Sequence, residues 1–329
     1  MKGKKKIPRH RKQNYGFGKM LAFAMKMALD IFFGQHDHYG TRRSHKIRIR
    51  IFAEFCRRND VRDARAIDHE IVTAYGEYLR HRLKEPYEWP DGKTDKCVSI
   101  NYAHNLISTV NTTLFAMRGN DELKLSARKA LGVARSNVRK TEIEADIADS
   151  RTAADRMIAK GLGRGAAVVL LARAFGMRVQ EAVLQDLDRM RREIEKTGSA
   201  AILEGTKGGR KCRSRTIKAG TFQREALQFA LSVRPTESRC LLSTTDNVIQ
   251  FYRTILNRCR RILREGGIPS YRELRAGFAQ QVYEDIVRGP SPLRGPIRDR
   301  VLDRIAREEV ARQLGHARFQ VASSYIGGY

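Results

Sequence analysis

Leu314-Gly-His316-Ala-Arg-Phe-Gln-Val-Ala-Ser-Ser-Tyr325-Ile-Gly-Gly-Tyr329 is the stretch from which the fold is read. An amphipathic run from about 300 to 313 predicts a helix, and Leu-Gly-His closes it, glycine being a common helix stop. Tyr325 follows nine residues after His316. A single tyrosine near a carboxyl end is ordinarily a packing residue. A tyrosine at this distance from Leu-Gly-His is a less ordinary arrangement.

Three upstream segments also carry polar groups that a packed domain does not need. In Arg272-Glu-Leu-Arg275-Ala-Gly-Phe-Ala the two arginines are three apart and share a helix face. Two adjacent guanidiniums repel unless an anion lies between them. The plain alternative is one solvated arginine and one paired to Glu273 or Glu181. In Gly205-Thr-Lys207-Gly-Gly-Arg-Lys211 a lysine stands at a tight glycine turn, free to swing toward a phosphate. In Phe175-Gly-Met-Arg178-Val-Gln-Glu181 an arginine follows the most apolar predicted helix, Ala166 to Phe175, and needs a partner or a ligand. Glu181 can hold it from the next helical turn, and a purely structural Arg–Glu pair reads equally well from this segment alone.

Composition narrows the class of partner. The 329 residues hold 64 Lys+Arg against 36 Asp+Glu, a formal charge of +28. That excess argues against a typical small-metabolite enzyme and points to a polyanion, nucleic acid or an anionic membrane surface. No apolar run approaches the ~18–20 residues of a spanning helix. The five scattered cysteines, Cys56, Cys97, Cys212, Cys240 and Cys259, form no Cys-x-x-Cys pair and fit reduced thiols in a cytosol. His36 and His38 lack further ligands at a useful spacing and read as a solvent-facing pair. Lys26 and Asp30 interrupt the only segment resembling a secretory signal.

Along the chain, residues 1–20 form a basic arm containing Lys4, Lys5, Lys6, Arg9, Arg11 and Lys12 and no acid. Such an arm is expected to neutralise DNA phosphates and release counterions, and Arg42 and Arg43 are candidate DNA contacts beside it. Residues 21–140 read as a helical domain. Ile47, Ile51, Phe52, Phe55 and Cys56 share one helical face, as do Ala103, Leu106, Ile107, Val110, Leu114 and Met117. Two prolines and a glycine make Glu85 to Asp95 a loop. The polar stretch 141–155 reads as a linker. Residues 156–329 form a second domain, in which Ala201-Ile-Leu and Arg215-Thr-Ile flank a glycine pair as a β-hairpin. Helices are expected at about 222–233, 247–264, 274–287 and 300–313, with a turn-rich insertion at 289–296.

Taken in order, these segments resemble the tyrosine recombinase (phage-type integrase) family, and most closely the integrases of integrative and conjugative elements or genomic islands. The family carries an arginine in Gly-x-Arg-x-x-Glu, a hairpin lysine, His-x-x-Arg, Leu-Gly-His and a tyrosine about nine residues later. Arg178, Lys207, Arg275, His316 and Tyr325 stand at the matching places, over residues from about 40 onward. The resemblance implies a mainly α fold: an N-terminal helical core-binding (SAM-like) domain, then a mostly helical catalytic domain with a small β-sheet, the DNA breaking-rejoining enzyme fold. It implies cleavage and rejoining of double-stranded DNA at attachment sites through a 3′-phosphotyrosyl link, with no cofactor, metal or ATP. It also implies a homotetramer on two duplexes, helper proteins for excision or bending, no membrane, and a bacterial cytoplasmic or nucleoid location.

Within that scheme Arg178 and Arg275 would clamp the non-bridging oxygens, Lys207 would protonate the leaving 5′-oxygen and His316 would bond a phosphate oxygen. Three departures stand out. Arg272 occupies the place of the family's first histidine and, unable to release its proton, is expected to be a third clamp. The interval from Arg275 to Tyr325 is lengthened by the insertion at 289–296. Only four residues follow Tyr325, too few for a long helix donated to a neighbour, so other contacts are expected to join the oligomer. The alternatives are a non-catalytic DNA-binding accessory protein, a type IB topoisomerase or telomere resolvase, and, more remotely, a membrane-surface protein.

Overall fold

The computed structural model describes residues 12–34, 38–142, 145–206 and 215–328. The chain forms two compact units that meet in sequence between Ser136 and Asn137. The structure is mainly helical throughout, as expected. No described helix is long and apolar enough to cross a membrane. Cys56, Cys97, Cys240 and Cys259 are free thiols. Lys207, His36 and arm residues Lys4 to Arg11 lie outside the described residues.

The first unit contains α1 (Leu21–Phe33), α2 (Tyr39–Arg58), α3 (His69–His81), β1 (Tyr87–Glu88), β2 (Thr94–Asp95), α4 (Ile100–Arg118) and α5 (Ala127–Leu131). The apolar stripes of α2, α3 and α4 meet in one core containing Phe52, Tyr75, Leu79, Leu106 and Ile107. The segment expected as a loop is a short hairpin instead. Trp89 and Tyr87 pack on Tyr78 of α3, and both Tyr78 Oη and Trp89 Nε1 donate to Asp95 at 2.7 Å. Proline and glycine suppress a helix here, but aromatic packing supplies an order that periodicity does not reveal.

The second unit contains α6 (Ile147–Ile158), α7 (Gly163–Phe175), α8 (Val179–Leu184), α9 (Leu187–Thr197), β3 (Ser199–Ala201), β4 (Thr216–Lys218), α10 (Thr221–Val233), α11 (Val248–Phe251), α12 (Asn257–Glu265), α13 (Tyr271–Val287), α14 (Arg300–Gln313) and α15 (Ser323–Ile326). Helix α6 begins inside the stretch read as a linker. Asp146 caps it by accepting the Asp149 N–H at 2.7 Å, and its buried face consists of Ser150, Ala153, Ala154 and Met157. Those small side chains leave a weak apolar signal. Helix α7 is buried from Gly165 to Phe175, and the rest of the unit packs around it. β3 and β4 pair antiparallel with Ala200 opposite Ile217, at the place of the expected hairpin. The helix expected over 247–264 is present and runs without a break, α11 passing into α12 through a π-helical turn at Tyr252–Leu256.

Candidate active site

Two helix ends and one helix start frame the site. α7 ends at Gly176, whose φ of 59° is left-handed. A Cβ there would lie 2.4 Å from the Phe278 ring, so only glycine fits. The Gly176 carbonyl, an unpaired helix-end acceptor, takes hydrogen bonds from Arg275 Nη1 and, at 3.4 Å, from Arg215 Nη2. The end of α14 acts the same way: the Leu314 carbonyl accepts from Arg275 Nη2 at 2.6 Å, and the Gln313 carbonyl from Arg215 Nε at 2.9 Å. Both helix C-termini present partial negative charge to the guanidiniums.

Between them lies Glu181 in the first turn of α8, fully buried. Its carboxylate accepts the Arg178 backbone N–H at 2.7 Å and Arg178 Nη1 at 2.6 Å. Arg215 forks onto it with contacts of 2.8 and 2.9 Å, and Arg275 Nη1 lies 3.6 Å away. Burial pushes the Glu181 carboxyl up, but the bonds and charge of Arg215, then the charge of Arg275 and the Arg178 N–H, hold it at about 2. Arg215 and Arg275 are 2% and 3% exposed. Burial lowers Arg275 to about 10, still protonated at neutral pH. Three guanidiniums thus face one carboxylate. The Arg178 side chain, 31% exposed, turns part of that surplus toward solvent.

Tyr325 sits on α15 against this cluster and is 8% exposed. Its hydroxyl lies 3.4 Å from Arg275 Nε and 3.4 Å from His316 Nε2. Arg275 Nη2 is also 3.4 Å from His316 Nε2. Arg275 can only donate, so Nε2 is best placed as an acceptor, with the imidazole proton on Nδ1. Burial, followed by the charges of Arg275, Arg178 and Arg215, lowers His316 to about 4, so the ring is neutral at pH 7. The phenol therefore lies between a permanent cation and a neutral base. Contacts of this length before substrate arrives are usual in catalytic sites.

The structure brings Arg178, Glu181, Arg275, His316 and Tyr325 together. Arg272 occupies the flank. Its exposed guanidinium donates to the Ser324 carbonyl at 3.3 Å and lies 5.6 Å from the centre of the Tyr325 ring. Sequence reasoning gave Arg215 no role, although a signal existed: strand alternation sets Arg215 in phase with buried Ile217. In the first unit Arg42 and Arg43 line a shallow basic depression with Lys26, Lys46 and Arg50. Arg42 is partly committed there, donating to the Gly34 carbonyl at 2.6 Å and lying 3.6 Å from Asp30. Lys12 is exposed. No group of three or more His, Cys, Asp or Glu among the described residues is arranged to hold a metal ion.

Residues 132–281 match a family model described as integrase. That interval includes Arg178, Arg215 and Arg275 and stops short of His316 and Tyr325. No curated protein matches the chain. Among solved structures, the chain is similar to the Tn1549 transposon integrase in complex with circular intermediate DNA. The TM-score is 0.59 at 9% identity, covering 95% of this chain and 96% of that one, a likeness of fold. XerA recombinase is also similar, with a TM-score of 0.38 at 14% identity over 93% of each chain.

Proposed function

We propose that this chain, a member of the integrase (tyrosine recombinase) family, cuts and rejoins double-stranded DNA at specific sites through a covalent link to Tyr325. The observation that carries this reading is the Tyr325 hydroxyl set 3.4 Å from both Arg275 Nε and His316 Nε2, beside a cluster with surplus positive charge.

The chemistry follows from those groups. Tyr325 Oη attacks the scissile phosphorus, the P–O5′ bond breaks, and a 3′-phosphotyrosyl ester and a 5′-hydroxyl result. The phenolic proton passes to neutral His316 Nε2, the unprotonated nitrogen 3.4 Å from the phenolic oxygen. Arg178 and Arg275 meet the non-bridging oxygens with charged donors held in place before substrate arrives. Lys207 remains the candidate to protonate the departing 5′-oxygen. A 5′-hydroxyl of the partner strand then attacks the ester and re-forms a P–O5′ bond, its proton going to the deprotonated Lys207 while the Tyr325–P bond breaks and His316 returns the phenolic proton to Tyr325. Strand exchange would join four protomers on two duplexes, with the basic arm and the depression around Arg42 and Arg43 holding phosphates.

A pool of short nicked duplexes of randomised sequence tests this, because the protein itself selects its site from the pool. After incubation and denaturation, protein-linked DNA is recovered and sequenced. Wild type is expected to yield a covalent adduct enriched in one sequence, and Tyr325→Phe none. Adduct formation by Tyr325→Phe, or its loss in Tyr329→Phe with Tyr325 intact, refutes the assignment of the nucleophile.

A further inference from the structure

The most heavily built polar feature of the second unit outside the arginine cluster is a buried ion pair with no part in that chemistry. Asp303 and Arg307 lie one turn apart on α14, and both are fully buried. Arg307 Nε is 3.0 and 2.9 Å from the two Asp303 oxygens, and Tyr283 Oη donates to Asp303 at 2.6 Å. The outer nitrogens of Arg307 reach α15. Nη1 donates to Ser323 Oγ at 2.9 Å, and Nη2 to the Gly327 carbonyl at 3.1 Å.

Ser323 and Gly327 bracket the four-residue helix that bears Tyr325. So short a helix has too few internal bonds to stand alone, and its place is set from outside. The turn-rich insertion adds a second wall. A Cβ on Gly327 would lie 2.7 Å from the Leu293 side chain, and one on Gly328 2.7 Å from Arg307 Nη2 and 2.8 Å from Pro292. The insertion is itself fixed to α13, with Ser291 Oγ donating to Gln280 at 2.8 Å and Ser291 N to Glu284 at 3.3 Å. A buried ion pair contributes little net stability, but a fork fixed by Asp303 can hold both ends of α15 at once.

We propose that Arg307, backed by Asp303 and Tyr283, is a positioning residue that seats α15 in the arginine cluster of the same protomer, with Pro292 and Leu293 closing over Gly327-Gly328. Its catalytic consequence, Tyr325 delivered in cis, rests on the function proposed above.

The test has two arms. In hydrogen exchange of the full chain, Arg307→Lys keeps the charge beside Asp303, but one ammonium cannot serve Ser323 and Gly327 together. Amides of 323–327 are expected to exchange about tenfold faster, and those of α7 unchanged, a tenfold change matching the loss of one buried hydrogen bond. Should Arg307→Lys not fold, Ser323→Ala removes one arm of the fork and is expected to give about a threefold change over the same amides. Unchanged exchange in a folded variant overturns the seating. In the second arm, with DNA recovered from the randomised pool, Arg307→Lys is expected to cleave about tenfold more slowly at saturating DNA, with half-saturation unmoved. Arg178→Met mixed with Tyr325→Phe should give no adduct, and an adduct from that mixture overturns cis delivery. A wild type that links to no DNA sinks the recombinase reading while leaving the exchange result to stand or fall alone.

Discussion

Replacing Glu181 by glutamine tests the electrostatic core of the site. The carboxylate accepts four contacts between 2.6 and 2.9 Å from Arg178 and Arg215 and lies 3.6 Å from Arg275. Glutamine keeps the shape and removes the charge, and its amide NH2 sets donor against donor beside a guanidinium. Arg215, 2% exposed, would then be a buried cation with no anion. Breaking a buried pair from one side costs about 3–5 kcal/mol. In a domain of this size each kcal/mol lowers Tm by roughly 2–4 °C, so a fall of roughly 6–20 °C is expected by circular dichroism at pH 7. Inorganic phosphate should restore more of that loss in Glu181→Gln than it adds to wild type, because the variant has the larger unbalanced positive charge. The pH dependence has a definite sign. The folded-state pKa of Glu181 is depressed to about 2, so its stabilisation is complete above the unfolded value near 4.5 and is lost as pH falls through about 2. The gap between wild type and variant should therefore narrow below about pH 4.5. A Tm within about 2 °C of wild type at pH 7, or a gap that is constant down to acid pH, refutes the reasoning.

Further outcomes follow from the same geometry. Arg215→Lys keeps a charge but loses the fork on Glu181 and the Gln313 carbonyl, and cleavage of the recovered DNA should slow by about a hundredfold while DNA affinity is kept. His316 should titrate at about 4 by imidazole NMR, and Arg178→Met should raise that value by removing one of the depressing charges. Since the folded-state value of His316 is lowered, its share of stability is present above 6.5 and lost as pH falls toward about 4. Arg272→Ala should slow cleavage modestly, about three- to tenfold, through loss of its contacts with Ser324 and the Tyr325 ring; unchanged rates in both Arg272→Ala and Arg272→His would make the position mere surface.

Much of the arrangement was legible because it rests on punctuation. Glycines marked the ends of apolar α7 and amphipathic α14, and the polar residues just beyond them, Arg178 and His316, are those the helix ends deliver to the site. What periodicity misses is charge hidden inside an amphipathic pattern. On α14 the buried stripe includes Asp303, Ala306, Arg307 and Val310. Val301, Leu302 and Ile305 face outward, with Val301 69% exposed. A hydrophobic count therefore assigns the wrong side of this helix to the core, and an i,i+4 Asp–Arg pair reads as an ordinary surface pair. Arg215 was obscured in the same way, as the residue just before β4, whose inward phase mattered more than its charge. α6 was missed because alanine and serine make a quiet core face.

Under the proposed function, the surplus of positive charge also gives the site a direction of action. Burial, followed by the charges of Arg275, Arg178 and Arg215, lowers His316, so the imidazole is neutral yet weakly basic. A phosphodiester arriving beside Arg178 and Arg275 places a negative charge among those groups and offsets part of their field at the ring. In the proposed reaction that offset would raise the basicity of His316 in the step in which Tyr325 has a proton to lose. Arg275 Nε already lies 3.4 Å from the phenolic oxygen. On that reading, a base weak in the empty site and stronger in the filled one would link deprotonation of Tyr325 to the presence of the phosphodiester. Glu181 fixes the guanidiniums in place and neutralises only one unit of their charge, leaving the rest to the phosphate of the proposed reaction.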